Sequence, residues 1–238
     1  MMDRLYDICR GMGIDLSDEA VGKFEKYYEM LIEWNKVMNL TAITEKDEVI
    51  LKHFADSLLI ARYKDLNKPL KVIDIGTGAG FPGIPLKIAF PELKITLMDS
   101  LNKRIKFLDE VIRELSLSDI ETVHMRAEDG GRNPLYREKY DLAVSRAVAN
   151  LAALSEFCLP FVKTYGYFIP YKSSGLEDEL HAGKKAVRIL GGRVENIFRT
   201  TLPDTDMERT FVVVKKVAPT PYAYPRKAGT ITKKPLQI

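Results

Sequence analysis

The sequence predicts an α/β fold: a seven-stranded, mostly parallel sheet whose last strand is antiparallel, behind an N-terminal helical extension. Three observations predict it. Apolar residues recur at helical spacing up to about residue 65. From Leu70 onward, short apolar runs alternate with helix-patterned stretches, which implies parallel strands joined by right-handed crossovers. Near the end, two strand-like runs are separated only by Leu202–Glu208, too short for a parallel return.

In order, Ser17 is placed to cap a helix whose first turn carries Asp18 and Glu19. Val21, Phe24, Tyr28, Leu31 and Ile32 give that helix one apolar face, and it should fray near Asn39. Thr44, with Asp47 three residues on, is placed to cap a second helix, whose face is Val49, Phe54, Leu58 and Ala61. Asn67-Lys68-Pro69 breaks the helical pattern. Expected strands are Leu70–Ile75, Lys94–Asp99, Ile120–Met125, Tyr140–Ser145, Tyr165–Tyr171, Arg193–Thr201 and Arg209–Lys216. Expected helices between them are Gly83–Ala89, Lys103–Leu115, Leu151–Val162 and Leu176–Leu190. This divides the chain into a helical lobe (1–68), a sheet domain (69–217) and a basic, Pro-containing tail (218–238).

The 238 residues suffice for one full-sized core plus a small accessory lobe. With 46% hydrophobic and 29% charged residues the composition is that of a soluble globular protein. No apolar run approaches the roughly 20 residues that span a bilayer, and the start lacks a signal-peptide pattern. Cys9 and Cys158 make neither a disulfide framework nor a zinc cluster, so reduced thiols, a cytoplasmic location and no metal are expected. The net charge is only +3, but from Lys215 onward the chain has six cations and no acid.

Lys71–Gly83, KVIDIGTGAGFPG, carries the chemistry. An apolar strand ends next to an acid, and Gly76, Gly78 and Gly80 follow on alternate positions. Glycines there permit a tight turn and close approach of a ligand to backbone. Two registers overlap. Gly78–Gly83 fits G-x-G-x-x-G, the dinucleotide fingerprint, but begins about two residues late. Asp74–Gly80 fits D-x-G-x-G-x-G, which resembles the first motif of S-adenosylmethionine methyltransferases. Electrostatics favour the second: a carboxylate at Asp74 suits an ammonium and a sulfonium and repels a pyrophosphate. Asp99, ending the next strand, is placed to accept from ribose hydroxyls; capping the helix near Asn102 is its competing role, which Ser100 or Asn102 can also fill. Ala127 and Glu128 border the same crevice, with room for an adenine ring and an acid for its amino group, or Glu128 is an ordinary loop acid. Arg146 faces the target base or pairs with a nearby acid.

The chain resembles the glucose-inhibited division protein B family, the bacterial 16S rRNA (guanine-N7) methyltransferases. The stretches that carry the resemblance are WNKVMNLTAIT (Trp34–Thr44), HFADSL (His53–Leu58), DIGTGAGFPGIPLKI (Asp74–Ile88), DSLNKRIKFL (Asp99–Leu108), RAE (Arg126–Glu128), SRAV (Ser145–Val148) and YPRKAG (Tyr224–Gly229). They run through essentially the whole chain in one order. The resemblance implies a Rossmann-like methyltransferase sheet, S-adenosylmethionine as cofactor, and 16S rRNA or the small ribosomal subunit as partner; the sequence does not fix the oligomeric state, with a monomer favoured. Gly76, Phe81, Ala127–Glu128 and Arg146 correspond to the family's cofactor-contacting positions. The chain departs where Ser173-Ser174 follows Lys172 and many relatives have glycine, so no role is assigned to Lys172.

Guanine N7 has an in-plane lone pair and no proton, so its methylation needs alignment rather than a general base. The sequence has no Asn/Asp-Pro-Pro-aromatic run after the fourth strand and no Pro-Cys nucleophile, and Cys158 sits in an apolar helix. His53 and Asp56, three apart on one helix, are expected on the crevice side without a catalytic role. Trp34 at helical spacing with Met38 reads as packing. In the tail, Arg226, Lys227, Lys233 and Lys234 beside Tyr222 and Tyr224 suit RNA phosphates and unpaired bases. That reading predicts that neutralising the four cations weakens RNA binding and leaves cofactor affinity alone. Three rivals stand beside this one: a methyltransferase for a small molecule or protein, an NAD-dependent oxidoreductase, and a non-enzymatic RNA-binding module.

Overall fold

The computed structural model describes residues 2–146, 149–173 and 176–236. The chain opens with α1 (Asp3–Gly11) and α2 (Asp18–Met38). The Ser17 hydroxyl caps α2 by accepting from the Ala20 N–H at 3.2 Å, and Asn39 ends it in the left-handed conformation. The deep face of α2 is Phe24, Tyr27 and Leu31; Tyr27, not Tyr28, is fully enclosed.

The second helix departs from expectation. Glu45, not Thr44, precedes α3 (Lys46–Val49), and no side chain caps it. The backbone then widens into a π-turn over Ile50–Ala55, returns to α4 (Asp56–Leu58) and tightens to a 3₁₀ turn over Leu59–Arg62. Single π-turns leave carbonyls free to accept other donors. Here the Lys52 and His53 carbonyls accept from Arg146, 3.1 and 3.4 Å away.

The sheet follows: β1 (Lys71–Ile75), α5 (Gly83–Ala89), β2 (Lys94–Asp99), α6 (Asn102–Glu114), β3 (Ile120–His124), α7 (Ala127–Gly130), β4 (Tyr140–Ser145), α8 (Leu151–Cys158), β5 (Val162–Lys172), α9 (Leu176–Ile189), β6 (Gly192–Thr201) and β7 (Glu208–Lys216). A short α10 (Thr230–Lys233) closes the described chain. The strand order is β3-β2-β1-β4-β5-β7-β6. β1 pairs in parallel with β2 and β4, while β7 runs antiparallel between β5 and β6. The predicted Rossmann-like methyltransferase topology, with its terminal hairpin, is therefore the one formed.

Alternating residues of each strand serve two cores. Val72, Leu97, Leu142 and Ile169 join the N-terminal helices, α5 and α6 in one. Ile73, Met98, Ala143 and Phe168 join α8 and α9 in the other. The N-terminal helices thus share a core with the sheet. Both cysteines are free and buried, and burial pushes the Cys9 thiol up to about 12. No helix among the described residues is long and apolar enough to cross a membrane.

Candidate active site at the sheet's carboxyl edge

The loop after β1 turns on three left-handed glycines, with φ of 69° at Gly76, 65° at Gly78 and 99° at Gly80. Gly80 is also sterically required. A Cβ there would lie 2.6 Å from Ile84, 2.7 Å from the Tyr27 hydroxyl and 2.9 Å from Leu108. The Tyr27 phenol donates to the Ala79 carbonyl, so the helical lobe grips the loop from behind. Sequence reasoning missed Tyr27, because periodicity marks an apolar face without separating its two adjacent tyrosines.

Asp74 is placed differently from the expectation that it meets the cofactor at the crevice. It lies fully buried beneath the loop, and its Oδ2 accepts from the Thr77 hydroxyl at 2.7 Å and the Gly83 N–H at 2.9 Å. A glycine at 83 is what lets α5 start so close; a Cβ would sit 2.2 Å from Leu97. Burial pushes the Asp74 carboxyl up to about 6, against the lowering effect of those two hydrogen bonds. Its Oδ1 is the single buried side-chain polar atom without a partner among the described residues.

Asp99 stands at the end of β2, 3% exposed. Its Oδ2 accepts from the Gly78 N–H at 3.0 Å and from Arg104 at 3.2 Å, and its Oδ1 accepts from the Leu101 N–H at 2.9 Å. It therefore serves both the glycine loop and the entry to α6; neither Ser100 nor Asn102 caps that helix, whose N-cap is Leu101.

A cavity of about 390 Å³ opens here, within the range of small-molecule sites. Its walls include Gly76, Asp99, Ala127 and Glu128, the four expected residues that the fold brings together. Ile75, Met98, Met125, Leu154 and Phe157 supply apolar surface, Ser100, Arg126 and Ser145 also line it, and Arg104, Gly229 and Thr232 add a part of the wall that sequence reasoning did not assign. Asp74, Gly78, Gly80, Phe81 and Arg146 are not in the wall. The first three act through loop shape. Phe81 points to the loop's other side, its ring stacked 4.5 Å from His53, with the Arg146 guanidinium 4.9 Å from its centroid.

Arg146 belongs to a second cavity, about 580 Å³, lined also by Lys52, His53, Asp56, Lys172 and Arg209. Its guanidinium donates to Asp56 at 3.0 Å, and Arg209 donates to the other Asp56 oxygen at 2.6 Å. Its second nitrogen lies 3.2 Å from His53 Nδ1. The same Nδ1 lies 3.1 Å from the Lys52 carbonyl, which only accepts, and Nε2 lies 2.8 Å from the Thr41 hydroxyl, so the ring's tautomer decides which of these contacts it donates. Burial, and then the Arg146 charge, push the His53 ring down to about 4. Lys172 pairs with Glu179 at 2.7 Å and donates to the Ala149 carbonyl at 2.8 Å. Ala147, Val148 and Ser174, from stretches singled out above, lie outside the described residues. Trp34 packs against Phe107 with 5.6 Å between ring centroids, as expected of a packing residue.

The model of the family described as rRNA small subunit methyltransferase G matches residues 20–207. The chain belongs to that family. It is 56% identical to the ribosomal RNA small subunit methyltransferase G of Acetivibrio thermocellus, over 98% of this chain and 95% of that one. It is 54% identical to the Lachnoclostridium phytofermentans protein of the same name, over 95% and 94%. Among solved structures, M. jannaschii TYW2 in complex with AdoMet aligns with a TM-score of 0.57 at 13% identity, covering 74% of this chain and 80% of that one. The S-adenosylmethionine-dependent methyltransferase SibL aligns with a TM-score of 0.53 at 16% identity, covering 68% and 55%. At these identities both show the fold alone. A methyltransferase family member has no use for the nicotinamide chemistry of the oxidoreductase rival.

The residues present fit S-adenosylmethionine. Asp99 and Glu128 are carboxylate acceptors in the wall of a cavity that also offers apolar surface from Ile75, Met98, Met125, Leu154 and Phe157, as a nucleoside with hydroxyl and amino donors requires. Among the described residues no group of three or more His, Cys, Asp or Glu is arranged to hold a metal ion.

His53 and Asp74 drive the pH dependence of stability in opposite directions. The unfolded chain protonates His53 near 6.5 and the folded one near 4, so stability falls as pH drops between those values. Asp74 protonates near 6 when folded and 3.8 when unfolded, so stability rises as pH drops through that window. Each effect is up to about 3 kcal/mol, and the two largely cancel. Asp74→Asn is expected to unmask His53: urea-unfolding free energy, followed from pH 7 to 4.5, should fall more steeply than in the parent. His53→Gln should show the reverse. Superimposable pH curves for the parent and both variants would contradict the pairing.

Proposed function

We propose that this chain transfers a methyl group from S-adenosylmethionine to N7 of a guanine in 16S rRNA. Family membership across nearly the whole chain carries the reading, and the cofactor-sized cavity supports it. When bound, the cofactor supplies an electrophilic methyl group, which bonds to N7 as its bond to sulfur breaks. Asp99 accepts from the ribose hydroxyls, Glu128 from the adenine amino group, and Ala127 leaves room for the ring. The backbone at Gly76 lines the cavity, with Gly78 and Gly80 setting the loop's shape and Asp74 holding it from below. No side chain is needed to remove a proton, because N7 carries none.

The target base enters the second cavity, where Arg146 and Arg209 share the single carboxylate of Asp56 and leave positive charge for the flanking phosphates. Phe81 packs against His53 and Arg146 of that second cavity, and the three align donor with acceptor. Lys227, Lys233 and Lys234 are exposed and available to further phosphates. The enzyme works as a monomer in the cytoplasm, on rRNA or the small subunit being assembled.

The test compares purified rRNA from cells with and without this protein, with modified guanines mapped by mass spectrometry. One 7-methylguanine should disappear from 16S rRNA and return when the protein and S-adenosylmethionine are added in vitro. An unchanged methylation map would sink the proposal, as would calorimetric binding of NAD but not of S-adenosylhomocysteine.

A further inference from the structure

The tail does not leave the fold after β7. Buried Lys216 donates to the Thr220 hydroxyl at 2.8 Å, and the Thr220 N–H donates to Glu138 at 2.7 Å. Arg137 donates to the Thr220 carbonyl at 2.6 Å and the Tyr224 carbonyl at 2.9 Å. The next hold is the firmest. Arg226 meets Glu156 of α8 through two side-chain nitrogens, Nε at 2.9 Å and a terminal nitrogen at 2.6 Å, while its backbone N–H donates to the same carboxylate at 2.8 Å. Glu156 is fully buried. Beyond it, Ile231 and Leu236 are buried again.

Between these holds the chain passes the cofactor cavity, and Gly229 and Thr232 form part of its wall. Gly229 is left-handed, with φ of 77°, and a Cβ there would meet nothing within 4 Å. It is a turn residue that aims the following segment at the cavity. Glu156 lies between Leu154 and Phe157, which line the same cavity. One ion pair thus joins the tail to α8, and both contribute residues to the cavity wall. Arg226 points inward, against the expectation that it is a phosphate clamp, because a carboxylate buried at Glu156 without a cation would be strongly unfavourable.

We propose that residues 224–236 are a strap that forms part of the cofactor site, and that Arg226 is the positioning residue that holds it there. The inference rests on the S-adenosylmethionine reading above. It reverses one sequence-based expectation: neutralising Arg226 weakens cofactor binding, whereas neutralising Lys227, Lys233 and Lys234 does not.

The test titrates S-adenosylhomocysteine into the full-length parent, Thr232→Trp, Arg226→Gln and Arg226→Lys, with thermal unfolding run alongside. Thr232 is exposed toward the cavity, so the indole should obstruct it and raise the Kd at least tenfold with Tm unchanged. Arg226→Gln should raise Kd about tenfold and raise KM for the cofactor more than it lowers kcat; Arg226→Lys should recover part of both. Trypsin cleavage after Lys227 should slow when S-adenosylhomocysteine is bound. A Kd within twofold of the parent for Thr232→Trp overturns the strap as part of the site. The same result for Arg226→Gln overturns its positioning role; if that variant does not fold, unchanged trypsin cleavage decides against it. Failure of the parent itself to bind S-adenosylhomocysteine counts against the methyltransferase reading rather than the strap.

Discussion

Asp99→Ala is expected to weaken S-adenosylhomocysteine binding between 10- and 100-fold by calorimetry, and to lower activity on rRNA in step at subsaturating cofactor. A hydrogen bond to an ionised group contributes about 1.5–3 kcal/mol, and each 1.4 kcal/mol is tenfold in affinity. The carboxylate also accepts from the Gly78 N–H, the Leu101 N–H and Arg104. Alanine therefore removes the ribose acceptor and slackens the glycine loop together. Asp99→Asn separates the two effects, since an amide retains one acceptor oxygen but no charge, and should fall between parent and alanine. The alternatives make different forecasts. In a non-enzymatic RNA-binding module the substitution is silent. If Asp99 serves only the entry to α6, Tm drops while Kd holds.

The strand pattern was legible because burial on both faces writes a plain apolar signature, and β2 and β4 begin and end where the sequence places them. Ser17 was legible as a cap for a local reason: donor and acceptor are three residues apart. Thr44 failed on the same kind of signal: the helix begins one residue later, after Glu45, and no side chain caps it. In the site, the residues next to strand ends that the sequence singles out, Gly76, Asp99, Ala127 and Glu128, all line one cavity. What the sequence hides is the partner a charged side chain finds far along the chain. Arg226 meets Glu156 seventy residues away, and Asp74 turns under its own loop to Thr77 and Gly83. Spacing and charge alone could not distinguish those destinations from solvent.

Asp56 is the strongest such case, and its replacement should give the largest loss of stability. The carboxylate is 3% exposed side-chain surface and joins three elements: α4 on the helical lobe, Arg146 just after β4, and Arg209 on β7. Removing one partner of a buried ion pair costs about 3–5 kcal/mol, because the remaining charge stays desolvated. Both guanidiniums are nearly one-fifth exposed, which places Asp56→Ala at the lower end, near 3 kcal/mol. For a chain of this length that corresponds to a Tm lowered by roughly 6–12 °C. Arg209→Leu should be milder, since Asp56 keeps Arg146 and the Lys52 and His53 carbonyls still accept from that residue. Asp56→Asn preserves shape and leaves two like charges facing one amide. Its destabilisation should shrink as salt rises from 0.05 to about 0.5 M, where the screening length falls below 10 Å. A Tm within 2 °C of the parent for Asp56→Ala would mean that the lobe is held by the shared core of Tyr27, Phe54 and Leu58 alone. A loss that salt does not relieve in Asp56→Asn would mean that packing, rather than the opposed guanidiniums, sets its size.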